Sequence, residues 1–460
     1  MNYDLLIKNG IVVTEQKIID ADVYVKDGII AKILIRDGSP RLEECTEATT
    51  VIDAEGNYVF PGFIDPHVHF NDPGLTNSED FYTGTCAAAA GGITTVLEHP
   101  LTFPLPDNIR DFEEKRRITS GKAVVDFGLF GACSHDNEKE MEKIIGSGAM
   151  AFKTFLPYSP EIPRLDDGQI LERMKFLSAY DIVLAIHCEN NDIVNYYTDK
   201  MVKEGKIKPE HYPMGRPEIA EIEAVARMSL FALKTGCKVN IAHCTLAEAV
   251  DIVKNAQKSG ANISVETCPQ YLTLDDSALK DKGVFAVCNP PLRSEAQVEK
   301  LWKRVLNGDI DWICSDHATY TIEEKLAGVN NVFDTPAGVT SVELCYQLLF
   351  SEGVIKRGMP LCRFAELSSA NAAKRYNLYP QKGAIAEGSD ADFAILNSHL
   401  KWQIKDDKLK QMIKWSPYEG KSVTGKVTKT ILRGKEIYDG EEVTAQKGYG
   451  RYLAPLTREK

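Results

Sequence analysis

Between residues 58 and 314 short apolar runs alternate with helical patterns, and this alternation constrains the fold more than any other feature of the chain. The runs number eight, at 58–64, 93–98, 124–130, 149–155, 182–186, 238–242, 263–265 and 310–314. Helical patterns lie between them, among others at 81–90, 170–179, 219–233 and 246–258. Strand runs separated by helices are the signature of βα units, in which parallel strands need a crossover helix. Eight such units predict a closed (β/α)8 barrel, the TIM barrel. The interval after the fifth run is long, so residues 191–216 are expected to form a loop-and-helix insertion.

The two ends of the chain have a different texture. Up to Ala54 the sequence gives short strands with turn residues: 4–7 and 10–13 around Lys8-Asn9-Gly10, then 19–25, Lys26-Asp27-Gly28 and 29–35. This is hairpin chemistry. The far end repeats it at 391–396, 427–432, Gly434 and Ile437-Tyr438. One small β-sandwich domain built from residues 1–56 and 386–460 is therefore predicted, with the barrel spanning 57–385. The polar tail after Gly448 is expected to dock on a neighbouring subunit or to stay loose.

Composition narrows the class of partner. A net charge of −12 disfavours nucleic acid and anionic membranes, because an acidic surface offers neither an attraction. A small-molecule substrate, which feels only its own pocket, is unaffected. The eleven cysteines are scattered without a CxxC pair, which fits a reducing cytoplasm. No signal peptide and no run of 18 apolar residues is recognised, so neither export nor a membrane span is expected.

In a barrel of this kind catalytic groups stand at the C-terminal ends of the strands. The first run is followed by Asp65-Pro66-His67-Val68-His69, the fifth by His187, the sixth by His243 and the eighth by Asp316; Lys153 stands near the end of the fourth. A single histidine at a strand end is commonly structural, and an aspartate there is commonly a helix cap. His-x-His is more informative, because alternate residues of a strand share a face and two imidazoles can reach one ion. A lysine between Phe152 and Phe155 is hard to place without chemistry, since an unpaired buried ammonium is costly. Of nine histidines, His99, His135, His211 and His399 lack such placement and are expected to be structural or superficial. His317, beside Asp316, is open to a supporting role towards the aspartate or a substrate group.

At these residues the sequence resembles the cyclic amidohydrolases: hydantoinase, dihydropyrimidinase, allantoinase and dihydroorotase. The matching segments are PGFIDPHVHFNDPG, TGTCAAAAGGITTVLEHP, GAMAFKTF, AIHCEN, NIAHCT, ETCPQYL, NPPLR, ICSDHA and GAIAEGSDADFAIL. The resemblance implies a centre of two divalent metal ions, usually zinc. His67, His69 and Asp316 would hold the first, His187 and His243 the second. Lys153, carbamylated by CO2 to N6-carboxylysine, would bridge them. A water bridging the metals would ionise near neutral pH, and Asp316 would take its proton and pass it to the leaving nitrogen. The family also implies an oligomer, a homodimer or tetramer.

The branch is read from smaller differences. Dihydroorotases carry an arginine two residues after the His-x-His pair to bind a carboxylate; here the stretch is Phe70-Asn71-Asp72, which argues against that activity. Hydantoinases and dihydropyrimidinases carry a tyrosine five residues after the lysine, and Tyr158 stands there, as a candidate donor to the scissile carbonyl. Backbone groups at Asn289 and Ala337 occupy the places that grip the ring amide. Resemblance to allantoinase lies in Asp72-Pro73-Gly74, His187-Cys188-Glu189-Asn190, Trp415-Ser416-Pro417-Tyr418 and residues 428–434. Hydantoinase-type hydrolysis is the main expectation, with opening of allantoin the alternative. A non-catalytic scaffold relative would require lost ligands, and all six are present. A deaminase or urease-like relative fits the lysine segment less well.

Overall fold

The computed structural model describes residues 3–36 and 48–456. Its strands form two sheets. One is a nine-membered series of parallel pairs. It runs Trp312–Ile313, Ile263–Thr267, Lys238–Ile241, Val183–His187, Ala151–Phe155, Asp126–Ala132, Ile93–Glu98, Phe63–His69 and His317–Ala318. The terminal members are two pieces of one passage of chain, interrupted at Cys314, Ser315 and Asp316. Trp312–Ile313 pairs with the seventh strand and His317–Ala318 with the first, so the broken eighth strand closes the ring. Most strands are buried at every position, as expected when a parallel sheet is covered on both faces.

The second sheet has eight strands. Its main order is Lys435–Tyr438, Ser422–Leu432, Phe393–Gln403, Tyr58–Pro61, Tyr3–Val13, Ile18–Lys26 and Ile29–Ile35; Ala48–Asp53 pairs with Tyr3–Val13. Both ends of the chain thus share one sheet. The apolar run expected as a single barrel strand at 58–64 is divided between the two sheets. Tyr58–Pro61 pairs with Tyr3–Val13 and Phe393–Gln403, and Phe63–His69 enters the barrel. Gly62 makes the change: a Cβ there would come within 2.1 Å of the Thr94 hydroxyl. A buried ionic cluster ties the sheets together, with Lys382 Nζ 2.6 Å from Asp126 of the barrel and 2.7 Å from Asp392. Arg433 pairs with the same Asp126. These acidic groups already enclose cationic side chains.

Two details differ from expectation. Lys8-Asn9-Gly10 does not reverse the chain: Tyr3–Val13 is one strand, and Asn9 at φ 58° produces a register shift between Ile7 and Gly10. The tail, as far as residue 456, is not loose but docks on its own barrel. Phe127 N–H donates to Arg451 O (2.9 Å), Leu453 N–H to Phe127 O (2.7 Å) and the Tyr452 hydroxyl to Gly148 O (2.6 Å). The helices expected between the strands occur at Phe81–Ala90, Asp167–Leu177, Glu218–Thr235 and Ala247–Lys258. The insertion folds as Asn191–Lys203 and two short turns at Pro209–His211 and Tyr212–Gly215. Among the described residues no helix is long and apolar enough to cross a membrane.

Candidate metal centre

The C-terminal ends of the barrel strands open into a cavity of about 400 Å³. Its walls include His67, His69, Lys153, His187, His243, Asp316, Tyr158, Asn289 and Ala337, so the structure brings every residue singled out for the site to one place. Each strand supplies its ligand candidate for a local reason. His67 and His69 are alternate residues of Phe63–His69. Lys153 is the middle residue of Ala151–Phe155, level with Ala185 on the adjacent strand. His187 ends its strand, whereas His243 and Asp316 follow theirs with φ of 40° and 48°. Non-glycine residues seldom occupy this left-handed region, and where they do the conformation is held by its surroundings, often at functional sites.

The six candidate ligands are packed closely. Nε2 of His67 and Nε2 of His69 each lie 3.2 Å from Asp316 Oδ1. The His187 and His243 rings are 4.5 Å apart between centroids, and those of His67 and His243 5.4 Å. Buried polar atoms of a folded protein almost always find a partner. Here His67 Nε2, His243 Nδ1 and Lys153 Nζ are buried without an aligned hydrogen bond among the described residues. Two further ring nitrogens are held by carboxylates. His67 Nδ1 is 2.6 Å from Glu266 Oε1, and His187 Nε2 is 2.7 Å from Glu189 Oε2. A carboxylate behind a histidine fixes its tautomer and leaves the second nitrogen for a metal. The donor set therefore fits divalent cations.

The electrostatics agree. Burial holds His67, His69, His187 and His243 below the ordinary histidine range, which keeps the imidazoles neutral and able to ligate. Burial likewise lowers Lys153, favouring the neutral amine. Burial alone would raise Asp316; the neighbouring His67 and His69 outweigh it and hold the carboxyl below its usual range. For Glu189 burial is outweighed by Arg216, which brings it to about 2.

Three supporting groups escaped the sequence. Glu266, fully buried on Ile263–Thr267, binds His67 and accepts from Asn240 Nδ2 (2.9 Å) and Trp312 Nε1 (2.8 Å). A carboxylate inside so apolar a strand was the available signal. His99, expected to be structural or superficial, is buried and stacked on His67 with ring centroids 3.6 Å apart. It directly follows Ile93–Glu98, so the strand-end criterion applied to the second run would have marked it. His67, His69 and His99 offer ligand atoms within 4.8 Å of one another, as do His67, Glu266 and Cys314. His99, however, is sandwiched between His67 and Phe130, with Nε2 3.2 Å from Pro66 O, and neither it nor Glu266 lines the cavity. Arg216 is the third group: it lines the cavity and is ion-paired with Glu189.

His317 faces away from Asp316. Its Nδ1 accepts from Ser341 N–H (3.1 Å) and its Nε2 lies 3.4 Å from Glu79. Tyr158 stands at the rim, 71% exposed, with its backbone N–H on Asn191 Oδ1. The Asn289 side-chain oxygen accepts from the Tyr212 hydroxyl at 2.7 Å, so that side chain is engaged within the wall.

Comparison with known proteins points the same way. The amidohydrolase family model matches residues 58–437. Allantoinase of Bacillus licheniformis is 36% identical over 98% of this chain and 100% of its own length. Allantoinase of Escherichia coli is 33% identical over 96% of each chain. Among solved structures, L-hydantoinase (dihydropyrimidinase) from Arthrobacter aurescens superposes with a TM-score of 0.94 at 31% identity, covering 98% of this chain and 100% of that one. D-hydantoinase from a Thermus species gives 0.90 at 30% identity, covering 98% and 99%.

Proposed function

Since the chain belongs to the amidohydrolase family and is a metal-dependent cyclic amidohydrolase, we propose that its cavity opens a hydantoin-type ring with two divalent ions, expected to be zinc. The observation that carries the site assignment is the buried Lys153 amine, unpaired among four histidines and an aspartate. His67, His69 and Asp316 would hold one ion, His187 and His243 the other, and Lys153 would bridge them. In the bridging form the neutral Lys153 amine adds to CO2; an N–C bond forms and one proton leaves, giving the anionic N6-carboxylysine. Divalent ions in such a site supply Lewis-acid activation of the carbonyl and of a water molecule.

The remaining work falls to the chain. Asp316 accepts the proton of the attacking water on a carboxylate oxygen and returns it to the ring nitrogen as the amide bond breaks. The backbone at Asn289 and Ala337 holds the ring amide, and Tyr158 donates to the carbonyl oxygen as negative charge develops there. Because such a bond strengthens only in the transition state, Tyr158→Phe is expected to lower kcat by about 10²-fold and to change KM less. An unchanged kcat in steady-state assays would remove Tyr158 from the chemistry and favour allantoin as the substrate.

Allantoin is the second substrate reading, favoured by the two allantoinases of 36% and 33% identity over nearly the whole chain. It carries the same hydantoin core. Either ring is neutral, which suits a cavity whose arginine, Arg216, is already committed to Glu189. An anionic ring would lose its hydration without a free ion-pair partner, which is costly. Zinc-loaded protein offered allantoin, hydantoin, D- and L-5-substituted hydantoins, dihydrouracil and dihydroorotate is expected to open hydantoins or allantoin and to turn over dihydroorotate poorly. Preferred turnover of dihydroorotate would overturn the substrate assignment. A cytoplasmic homodimer or tetramer is proposed as the working form. The ten free cysteines among the described residues, and the exposed Ile219, Leu230 and Leu233 on Glu218–Thr235, support that setting and that assembly.

A further inference from the structure

Lys325 is fully buried, yet no carboxylate is bonded to it among the described residues. It lies on the short helix Ile322–Leu326, outside the cavity wall. Burial lowers its ammonium to about 7, so the position is an expensive one for a cation. The three ammonium donors go to three backbone carbonyls: Val287 O at 3.1 Å, Pro336 O at 2.9 Å and Gly338 O at 2.9 Å. The Trp415 ring, 5.5 Å from Nζ, covers it.

Those carbonyls belong to two segments that contribute Asn289 and residues 336–338 to the cavity wall. Val287 is two residues before Asn289, and Pro336 and Gly338 flank Ala337. In a trans peptide the N–H points opposite the C=O of the same plane. With Pro336 C=O turned onto Lys325, the Ala337 N–H is turned away from it, and no acceptor among the described residues is bonded to that N–H. The two segments are also joined directly, Gly338 N–H donating to Val287 O at 3.0 Å. Residues 338–339 abut the seam beside Asp316: Ala318 N–H donates to Val339 O at 3.0 Å, and a Cβ on Gly338 would lie 2.8 Å from Ala318 Cβ.

We propose that Lys325 is a positioning residue, which fixes the peptide planes at 336–338 and the segment leading to Asn289 so that their backbone groups are set to receive a ring amide. The substrate part of this proposal rests on the ring-opening function and on the backbone contacts assigned to Asn289 and Ala337.

The test uses full-length, zinc-loaded protein and two readouts. Lys325→Met removes all three donors at similar length. Hydrogen exchange of peptides covering 335–339 and 287–289 is expected to accelerate by about tenfold or more, with Val183–His187 unchanged, because local opening is governed by local bonds. In parallel, KM for hydantoin or allantoin is expected to rise by about tenfold while kcat falls less than about threefold and metal content is unchanged, the pattern of lost ground-state binding. Unchanged exchange in both segments, or an unchanged KM, overturns the proposal; so does a loss of kcat and metal in proportion, which marks a merely structural role. Should Lys325→Met not fold, Lys325→Arg decides by the same readouts. A planar guanidinium keeps the charge but cannot reach the same three carbonyls, so faster exchange and a raised KM are expected, and wild-type values for either overturn the idea. If wild-type protein opens neither ring, the proposed function fails, and the exchange experiment still decides the role of Lys325.

Discussion

Lys153→Ala protein is expected to lose turnover and metal together, falling from two ions per chain to one or none by elemental analysis. A catalytic zinc takes three protein ligands, and six candidates from five strand ends exceed what one ion uses. Lys153 is the only one of the six that cannot ligate in its ordinary form, since an ammonium has no lone pair. Its place deep in the cavity, buried and unpaired, makes sense if the side chain becomes an anion that two dications neutralise. The alanine variant leaves a void where that anion would sit, so a short carboxylic acid added to the assay is expected to restore part of the rate. The mutation removes a buried amine without a hydrogen-bond partner rather than an apolar packing anchor, so the fold should persist. Retention of both metals and of the rate in Lys153→Ala would exclude a bridging lysine.

Asp316→Asn is expected to give the opposite dissociation: metal retained, turnover lost. Replacing a positioned acid–base group costs about 10²–10⁴ in rate. Asparagine is the informative substitution for a backbone reason as well. Asp316 sits at φ 48°, a region that asparagine and aspartate enter more readily than other L-residues, so the broken strand can keep its shape. The amide oxygen can still face the metals, but the amide cannot carry a proton at neutral pH. Pre-steady-state and steady-state rates within about tenfold of wild type would rule out Asp316 as the shuttle, because the acid–base loss expected is larger.

The parts of this molecule written in local pattern could be read from the sequence. Strand existence follows from short apolar runs, and strand ends follow from where those runs stop, so His67, His69, Lys153, His187, His243 and Asp316 could be placed in one cavity. What could not be read depends on pairing between distant segments. The partition of residues 58–64 between two sheets is set by which neighbours each half finds, not by its own hydrophobicity. Asn9 gives a turn signal by type, but in a long paired strand the same left-handed residue makes a bulge. Glu266 and Arg216 are ordinary residues in the sequence, and only the three-dimensional neighbours His67 and Glu189 give them meaning. The proposed substrate contacts are the least legible, because they would be made by main chain, and the Pro336 and Gly338 carbonyls beside it are bonded to Lys325 outside the cavity wall.

The interruption at Cys314, Ser315 and Asp316 has a consequence for biogenesis. A chain emerging from the ribosome has made five of the six candidate ligands once His243 is out, yet its first strand, Phe63–His69, still lacks one flank. That flank is supplied some 250 residues later, by His317–Ala318, the two residues directly after the last candidate ligand. Contacts so distant along the chain form slowly and leave an open edge in the meantime. Closure of the barrel and completion of the candidate ligand set therefore fall in one late event, and shorter nascent chains have neither a sealed wall nor all six candidates.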